Sequence, residues 1–268
     1  MLTAVPLGLA IGVALGALGG GGSILTVPAL VYVLGQDPRT ATTSSLVIVG
    51  LTSLIALGPH ARARRVRFAE GAIFGALGTA GSLAGSALSR SVPSTSLLAA
   101  FAVLMLLVAA VMLHRARRPV VGAGPPAQPA TGRSPTISGV ASGRTHLAKV
   151  VVAASAVGLL TGFFGVGGGF VLVPALVLTL RFSMPVAVGT SLLVIAINSA
   201  TALAARIGDD GGGLDWWLIG VFTTAAVAGS LAGGRITSRV DPRHLTMAFA
   251  VLLVLVALYT GVRSFGAV

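Results

Sequence analysis

The sequence contains one glycine-rich pattern twice, and this repeat constrains the fold more than any other feature. Gly12–Leu30 reads GVALGALGGGGSILTVPAL, and Gly158–Leu176 reads GLLTGFFGVGGGFVLVPAL at a constant offset. The match continues without a gap from Ala41–Leu46 onto Ala187–Leu192, and a GSLAG motif recurs later in each half after a two-residue insertion. The chain is therefore predicted to consist of two halves built on the same plan, each interrupted by glycine at the same position.

The composition is that of a protein embedded in lipid. Of the 268 residues, 55% are hydrophobic and 9% are charged, and the mean hydropathy is +0.98. These values leave too little polar surface to cover a water-soluble globule of this length. Ten apolar stretches, five in each half, follow one another with short connections: 3–19, 24–36, 41–58, 71–88, 96–113, 150–165, 170–180, 186–205, 216–233 and 245–262.

The apolar segments that follow the glycine clusters are too short to cross a bilayer. A helix over Ile24–Gln36 is about 20 Å long at about 1.5 Å per residue, whereas the hydrocarbon core is about 30 Å thick. We therefore predict an all-α integral membrane fold in which each half has a glycine-broken re-entrant hairpin and three transmembrane helices. Residues 1–114 form the first membrane repeat and 149–268 the second, and the Pro- and Gly-rich segment 115–148 is predicted to be a flexible cytoplasmic linker.

The basic residues indicate how the two repeats are oriented. The chain has 18 Lys and Arg against 6 Asp and Glu, and the excess is concentrated in the loops 62–67 and 235–243 and around the linker. The positive-inside rule places these regions in the cytoplasm, so no nucleic-acid partner is predicted. A substrate-collecting rim and a lipid anchor are the alternatives for the basic residues. Because the equivalent loops of the other half have the opposite charge character, we predict inverted repeats in the plasma (inner) membrane with both termini outside.

Several functional classes lack the residues that they need. The chain has no cysteine, its four histidines lie in loops or at the ends of spans, and its six carboxylates lie at span ends or in loops. No metal site, cofactor or proton-carrying carboxylate is therefore predicted within the membrane. The chain also has no HExxH motif, carboxylate pair or Cys/His dyad, so we expect that the protein is not an enzyme.

The doubled pattern carries a family resemblance. The segments GALGGGGSILTVPAL and GFFGVGGGFVLVPAL are each followed by a polar helix start, TTSSL in the first half and GTSLL in the second. This combination resembles the TauE/SafE sulfite exporter family, which comprises bacterial and archaeal permeases for sulfur-containing anions. The resemblance covers both halves outside the linker, and it implies a permease for sulfite or for an organosulfonate such as sulfoacetate. Thiosulfate-importing relatives rely on cysteines along the path, and this chain has none.

The glycine breaks have the chemistry of an anion site. A break within the membrane exposes backbone N–H groups, and the helix that starts after it directs the positive end of its dipole at the break. Two such ends facing each other would hold an oxyanion without a buried cation. The predicted substrate-binding site combines the breaks with polar residues of the helices that follow: Gly20, Gly21, Gly22, Ser23, Ser44, Ser45, Gly167, Gly168, Gly169, Thr190, Ser191 and Asn198. The structural alternatives are close helix packing for the glycines, helix capping for the hydroxyls and interhelical hydrogen bonding for Asn198.

The direction of transport and the partners follow from the same features. A negative cell interior favours export of an anion. The predicted partners are a small anionic substrate and the lipid bilayer, with a homodimer as one option for the assembly. A non-transporting membrane assembly subunit and a transporter of another small organic anion are the alternatives. A cation is disfavoured because no carboxylate lies at membrane depth to coordinate it.

Overall fold

The computed structural model describes residues 3–89, 94–117, 150–160, 163, 169–204 and 214–265. All regular structure within these residues is helical, as predicted. The predicted linker lies outside them except for the stretch at which α5 ends.

The two halves contain helices in the same order. The first half contains α1 (Ala4–Leu18), a 3-10 turn (Gly19–Gly22), α2 (Ser23–Pro28), a π-helical turn (Ala29–Val33), α3 (Pro38–Arg62), α4 (Phe68–Ser89) and α5 (Ser94–Arg117). The second half contains α6 (Val150–Leu160), α7 (Gly169–Thr179), α8 (Met184–Ala204), α9 (Trp216–Arg239) and α10 (Pro242–Phe265). By position in the repeat, α1 to α5 correspond to α6 to α10.

The helices have the length and the outward-facing surface of a membrane protein. Among the described residues, three helical segments are long and apolar enough to cross a bilayer: Thr40–Arg62, Met184–Ala204 and Trp216–Arg235. Large apolar side chains on several other helices face outward, and Val103, Leu107 and Val152 are each at least 60% exposed. A water-soluble protein rarely exposes so many apolar side chains, whereas a lipid-facing surface requires them.

The glycine cluster of the first half reverses the direction of the chain. α1 ends at Gly19, whose φ of 66° lies in the left-handed region that glycine adopts without strain. In the 3-10 turn that follows, Gly22 lies so close to Leu15 that an added Cβ atom would come within 2.6 Å of the Leu15 Cα atom. α2 therefore turns back along α1, and Ala4 at the start of α1 belongs to the same hydrophobic cluster as Leu30.

α1 packs against α9 through small residues. An added Cβ atom at Gly12 would overlap the backbone of Ala226, and one at Gly16 would overlap the backbone of Ser230. The residue numbers on both helices increase together along the contact, so the two helices run parallel. Contact at this distance requires glycine, because any side chain would push the backbones apart.

The corresponding pair of the other half, α4 and α6, packs in the same way. An added Cβ atom at Gly158 would meet the Gly78 carbonyl oxygen at 2.5 Å, and one at Gly85 would meet the Phe163 backbone nitrogen at 2.6 Å. These helices also run parallel. Each half therefore places its fourth helix against the first helix of the other half.

α3 and α8, which correspond to each other in the repeat, run antiparallel. An added Cβ atom at Gly50 would lie 3.0 Å from the Ser199 Cβ atom, and one at Gly189 would lie 3.3 Å from the His60 Cβ atom. The contact thus moves forward along α3 as it moves backward along α8. α3 also packs against α9, α8 also packs against α4, and α5 packs against α10.

Aspartate side chains cap helices at their first turns. Asp37 Oδ2 accepts from the Thr40 backbone N–H at 3.3 Å, and Asp215 Oδ1 accepts from the Leu218 N–H at 3.0 Å. A capping carboxylate satisfies a backbone donor that has no partner within the helix. These carboxylates are therefore used at the ends of the spans, where the sequence predicts them.

Candidate functional site

The glycine break of the first half contacts the first residue of α7 directly. An added Cβ atom at Gly20 would overlap the backbone of Gly169, and one at Gly169 would lie 2.8 Å from the Gly20 carbonyl oxygen. No side chain can stand between the two backbones at this distance. Because α7 begins at Gly169, its first backbone N–H groups, which have no partner within the helix, lie beside the break of the first half.

Ser23 lies in the same contact. Its Oγ donates to the Gly20 carbonyl oxygen at 2.7 Å, and an added Cβ atom at Gly169 would overlap it. Among the described side chains, the Ser23 hydroxyl is thus the one closest to Gly169. Gly21 lies in the same 3-10 turn, whereas the backbone of Gly22 faces α1. Gly167 and Gly168 lie outside the described residues.

The early part of α8 packs on the break of the first half. An added Cβ atom at Gly19 would lie 2.5 Å from Ser191 Oγ and 3.1 Å from the Val188 Cα atom. Ser191 is fully buried, and its hydroxyl donates to the Val188 carbonyl oxygen at 2.8 Å. Ser45, its counterpart in the first half, donates to the Thr42 carbonyl oxygen at the same distance of 2.8 Å. Each hydroxyl therefore uses its proton within its own helix, and its oxygen can still accept.

The hydroxyls of Thr190 and Ser44 are fully buried but differ in their partners. Thr190 Oγ1 accepts from the Arg67 backbone N–H at 3.1 Å, which connects α8 to the start of α4. Ser44 Oγ has no hydrogen-bond partner among the described residues. A buried hydroxyl without a partner is uncommon, and it has a donor and two acceptor lone pairs available for a ligand.

Asn198 lies elsewhere along α8. Thr79 Oγ1 on α4 donates to the Gly75 carbonyl oxygen at 2.8 Å and lies 3.4 Å from Asn198 Oδ1. Thr201 Oγ1 lies 3.3 Å from the same Thr79 hydroxyl. The amide thus joins α8 to α4, in the manner of a polar contact between membrane helices, and these contacts do not involve the glycine breaks.

Further buried polar groups were not included in the sequence-based site. The hydroxyls of Thr26 on α2 and of Thr52 and Ser53 on α3 are at most 1% exposed and have no hydrogen-bond partner among the described residues. His60, near the end of α3, is 3% exposed, and neither of its ring nitrogens has a partner. The signal available in the sequence was a single polar residue within an otherwise apolar span. No group of His, Asp and Glu that could hold a metal ion occurs within the described ranges.

Comparison with known proteins agrees with this architecture. Residues 4–260 match the model of the family described as "Sulfite exporter TauE/SafE". The chain is 32% identical to a "Probable membrane transporter protein" of Xylella fastidiosa strain Temecula1 over 258 residues, which cover 95% of this chain and 92% of that protein. It is 30% identical to the "Probable membrane transporter protein YunE" of Bacillus subtilis strain 168 over 275 residues, which cover 97% and 98% of the two chains. No solved structure matches the chain. The protein is therefore a membrane transporter and not an enzyme, and it belongs to the TauE/SafE sulfite exporter family.

Proposed function

We propose that this transporter exports a small sulfur-containing oxyanion, either sulfite or an organosulfonate such as sulfoacetate. The anion passes through a central site at the start of α7, beside the contact between the two glycine-broken hairpins. The observation that carries this proposal is the direct contact between Gly20 and Gly169, at which α7 begins and to which Ser23 contributes a hydroxyl.

The groups around this contact suit a small anion. Backbone N–H groups at the start of a helix donate to oxyanions, and the helix dipole favours negative charge at that end. The buried polar side chains of the described residues are the hydroxyls of Ser and Thr and the imidazole of His60, and none of them is acidic. An oxyanion can accept hydrogen bonds from backbone N–H groups and from a hydroxyl whose proton is not used within the described residues, such as that of Ser44, without a carboxylate repelling it.

The orientation of the halves belongs to the same proposal. The antiparallel contact of α3 with α8 supports repeats related by an axis in the membrane plane, as in other transporters with inverted repeats. The basic loop after α3 and the basic end of α9 then face the cytoplasm of a cell whose plasma membrane holds the protein, with both termini outside. The membrane potential, negative inside, drives the anion outward.

Flux measurements in liposomes test the substrate and the transport activity together. The purified protein is reconstituted, and uptake of sulfite, sulfoacetate, taurine and sulfate is compared in one preparation. We expect saturable flux of sulfite or sulfoacetate that exceeds the flux of sulfate. Selective flux of a carboxylate instead would assign the path to another small organic anion. Inert vesicles together with a tightly co-purifying partner would identify an assembly subunit.

Buried hydroxyls are expected to contribute a part of the binding energy. We predict that Ser44→Ala and Thr190→Ala each weaken substrate binding by about 0.5–3 kcal/mol, or about two- to 150-fold, the range for hydrogen bonds to charged groups. Thr224→Ala is the matched control, because its hydroxyl is exposed and donates to carbonyls of its own helix. Half-saturation concentrations from the flux assay measure the effect. Equal half-saturation concentrations in all three variants and the wild type would show that these hydroxyls do not bind the substrate.

A further inference from the structure

We propose that a cavity at the arginine-rich end of α3 and α9 is an entry site for the transported anion. The cavity has a volume of about 240 Å³ and is lined by His60, Arg65, Leu231, Gly234 and Arg235, among others. We call it the arginine vestibule. It deepens the function proposed above, and it assigns binding roles to residues outside the glycine breaks.

A buried donor without a partner forms the floor of the arginine vestibule. The His60 side chain lines the cavity and is only 3% exposed, yet neither ring nitrogen has a hydrogen-bond partner among the described residues. The Gly16 carbonyl lies beside the ring, but no hydrogen bond of good geometry joins them. An imidazole has at least one N–H donor in either protonation state. An oxyanion in the cavity would supply an acceptor of better geometry than the Gly16 carbonyl.

Two arginines, Arg65 and Arg235, line the arginine vestibule. Arg65 is positioned by the turn that ends α3, in which its backbone N–H donates to the His60 carbonyl oxygen at 2.9 Å. The Arg64 N–H donates to the Ala61 carbonyl oxygen at 3.0 Å, and Arg64 has a φ of 55°, so the turn has the geometry of a Schellman motif. Arg235 comes from the end of α9 on the other side of the cavity. Guanidinium groups bind oxyanions through two parallel hydrogen bonds, and none of the described lining residues is acidic.

The floor of the arginine vestibule is about one helical turn from the central contact. His60 lies beside Gly16, three residues before Gly19, where α1 breaks. Its Cβ atom also lies next to Gly189, two residues before Ser191, which packs on the same break. An anion released from His60 therefore has a short path to the break, along the ends of helices that are already in contact.

The arginine vestibule has no equivalent in the sequence of the other half. Under the repeat alignment, Gly234 and Arg235 correspond to Ser86 and Ala87, and His60 corresponds to Arg206. The pair of arginines is thus specific to one end of the molecule, and it raises the local concentration of anion at that mouth of the path. The volume of about 240 Å³ is below the roughly 300–1,000 Å³ of pockets for drug-sized ligands, which favours a small anion.

Concentration-dependent flux tests this assignment with a charge-matched control. Flux is measured in phosphatidylcholine vesicles, and the anion is supplied on the arginine-rich face of the protein. We expect Arg65→Gln with Arg235→Gln to raise the half-saturation concentration of the transported anion about tenfold or more and to change the maximal flux less than about twofold. Arg62→Gln with Arg64→Gln removes the same charge from the same region, but neither residue lines the cavity. Equal half-saturation concentrations in the two double variants would contradict the role of the arginine vestibule as an entry site. They would not contradict the proposed transport function.

Direct binding separates the arginine vestibule from transport. Calorimetric titration of the detergent-solubilised protein with sulfite, and separately with sulfate, requires no flux. Binding that is lost in the Arg65/Arg235 variant and retained in the Arg62/Arg64 variant supports the site even if no sulfur-containing anion is transported. Titration in phosphatidylcholine nanodiscs with and without phosphatidylglycerol distinguishes a lipid source: suppression of binding by the anionic lipid would assign the site to a headgroup phosphate and overturn the proposal.

His60 is tested by a pair of substitutions. His60→Gln keeps an N–H donor at the floor of the cavity, whereas His60→Leu removes it. We expect the Leu variant to raise the half-saturation concentration and the Gln variant to stay closer to the wild type. Equal affinity in the folded Leu variant and in the wild type would exclude a role for the imidazole.

Discussion

Gly20→Ala and Gly169→Ala are each expected to reduce anion flux more than about tenfold in correctly inserted protein. The added methyl group at Gly20 would overlap the backbone of Gly169, and the one at Gly169 would overlap the Ser23 hydroxyl. Backbone cannot move aside as a flexible side chain can, so the two breaks must separate and the donors around the path lose their positions. Overpacking of this kind typically costs about 1–3 kcal/mol. Flux in liposomes, normalised to the amount of monodisperse protein recovered, measures the effect.

Two control substitutions separate the path from general packing. Gly58→Ala adds a methyl group where no atom lies within 4 Å, so flux should be unchanged. Gly12→Ala adds one where α1 meets the backbone of Ala226, before the break, so it should lower thermal stability while the flux per folded molecule stays closer to that of the wild type. Unchanged flux in both break variants would show that the glycines serve packing alone.

Opposite labelling of single cysteines is the expected result of a topology experiment. The chain contains no cysteine, so each introduced thiol is the only one present. A membrane-impermeant maleimide should label Arg64→Cys and Ser134→Cys only from the cytoplasmic side, and Gly212→Cys only from outside. The reason is that the basic loop after α3 and the equivalent loop after α8 follow corresponding helices that run antiparallel. Ser134 and Gly212 lie outside the described residues.

A lipid-facing position serves as the internal control for labelling. Leu54 is 58% exposed in the middle of a span, so Leu54→Cys should react with the charged reagent from neither side. Labelling of positions 64 and 212 from the same face would contradict the inverted repeat. That result would not affect the contact between Gly20 and Gly169. It would contradict the assignment of the arginine vestibule to the cytoplasmic side of the membrane.

The sequence was sufficient for those features that depend on local pattern. Apolar runs of this length form helices in lipid because the backbone must satisfy its own hydrogen bonds there, and the structure is helical as predicted. The place of the break was also predictable, since Gly19 adopts a left-handed φ that other residues rarely adopt. The membership of the TauE/SafE family, carried by the doubled glycine motif, was confirmed by comparison.

The roles of the polar side chains depended on which residues became neighbours. Within a helix a serine hydroxyl can donate to its own preceding turn or to another chain segment, and Ser191 donates to Val188. Asn198 lies beside Thr79 on another helix because α8 packs against α4. In the sequence, His60 lies at the end of an apolar span, which does not predict its burial. It is buried because Gly16, Gly189 and Gly234 of other helices pack around it. The sequence by itself thus determined the helices, the repeat and the breaks, because hydropathy and glycine conformation are local properties. The contact between the breaks and the floor of the arginine vestibule were decided by the tertiary structure, because they join atoms from distant parts of the chain.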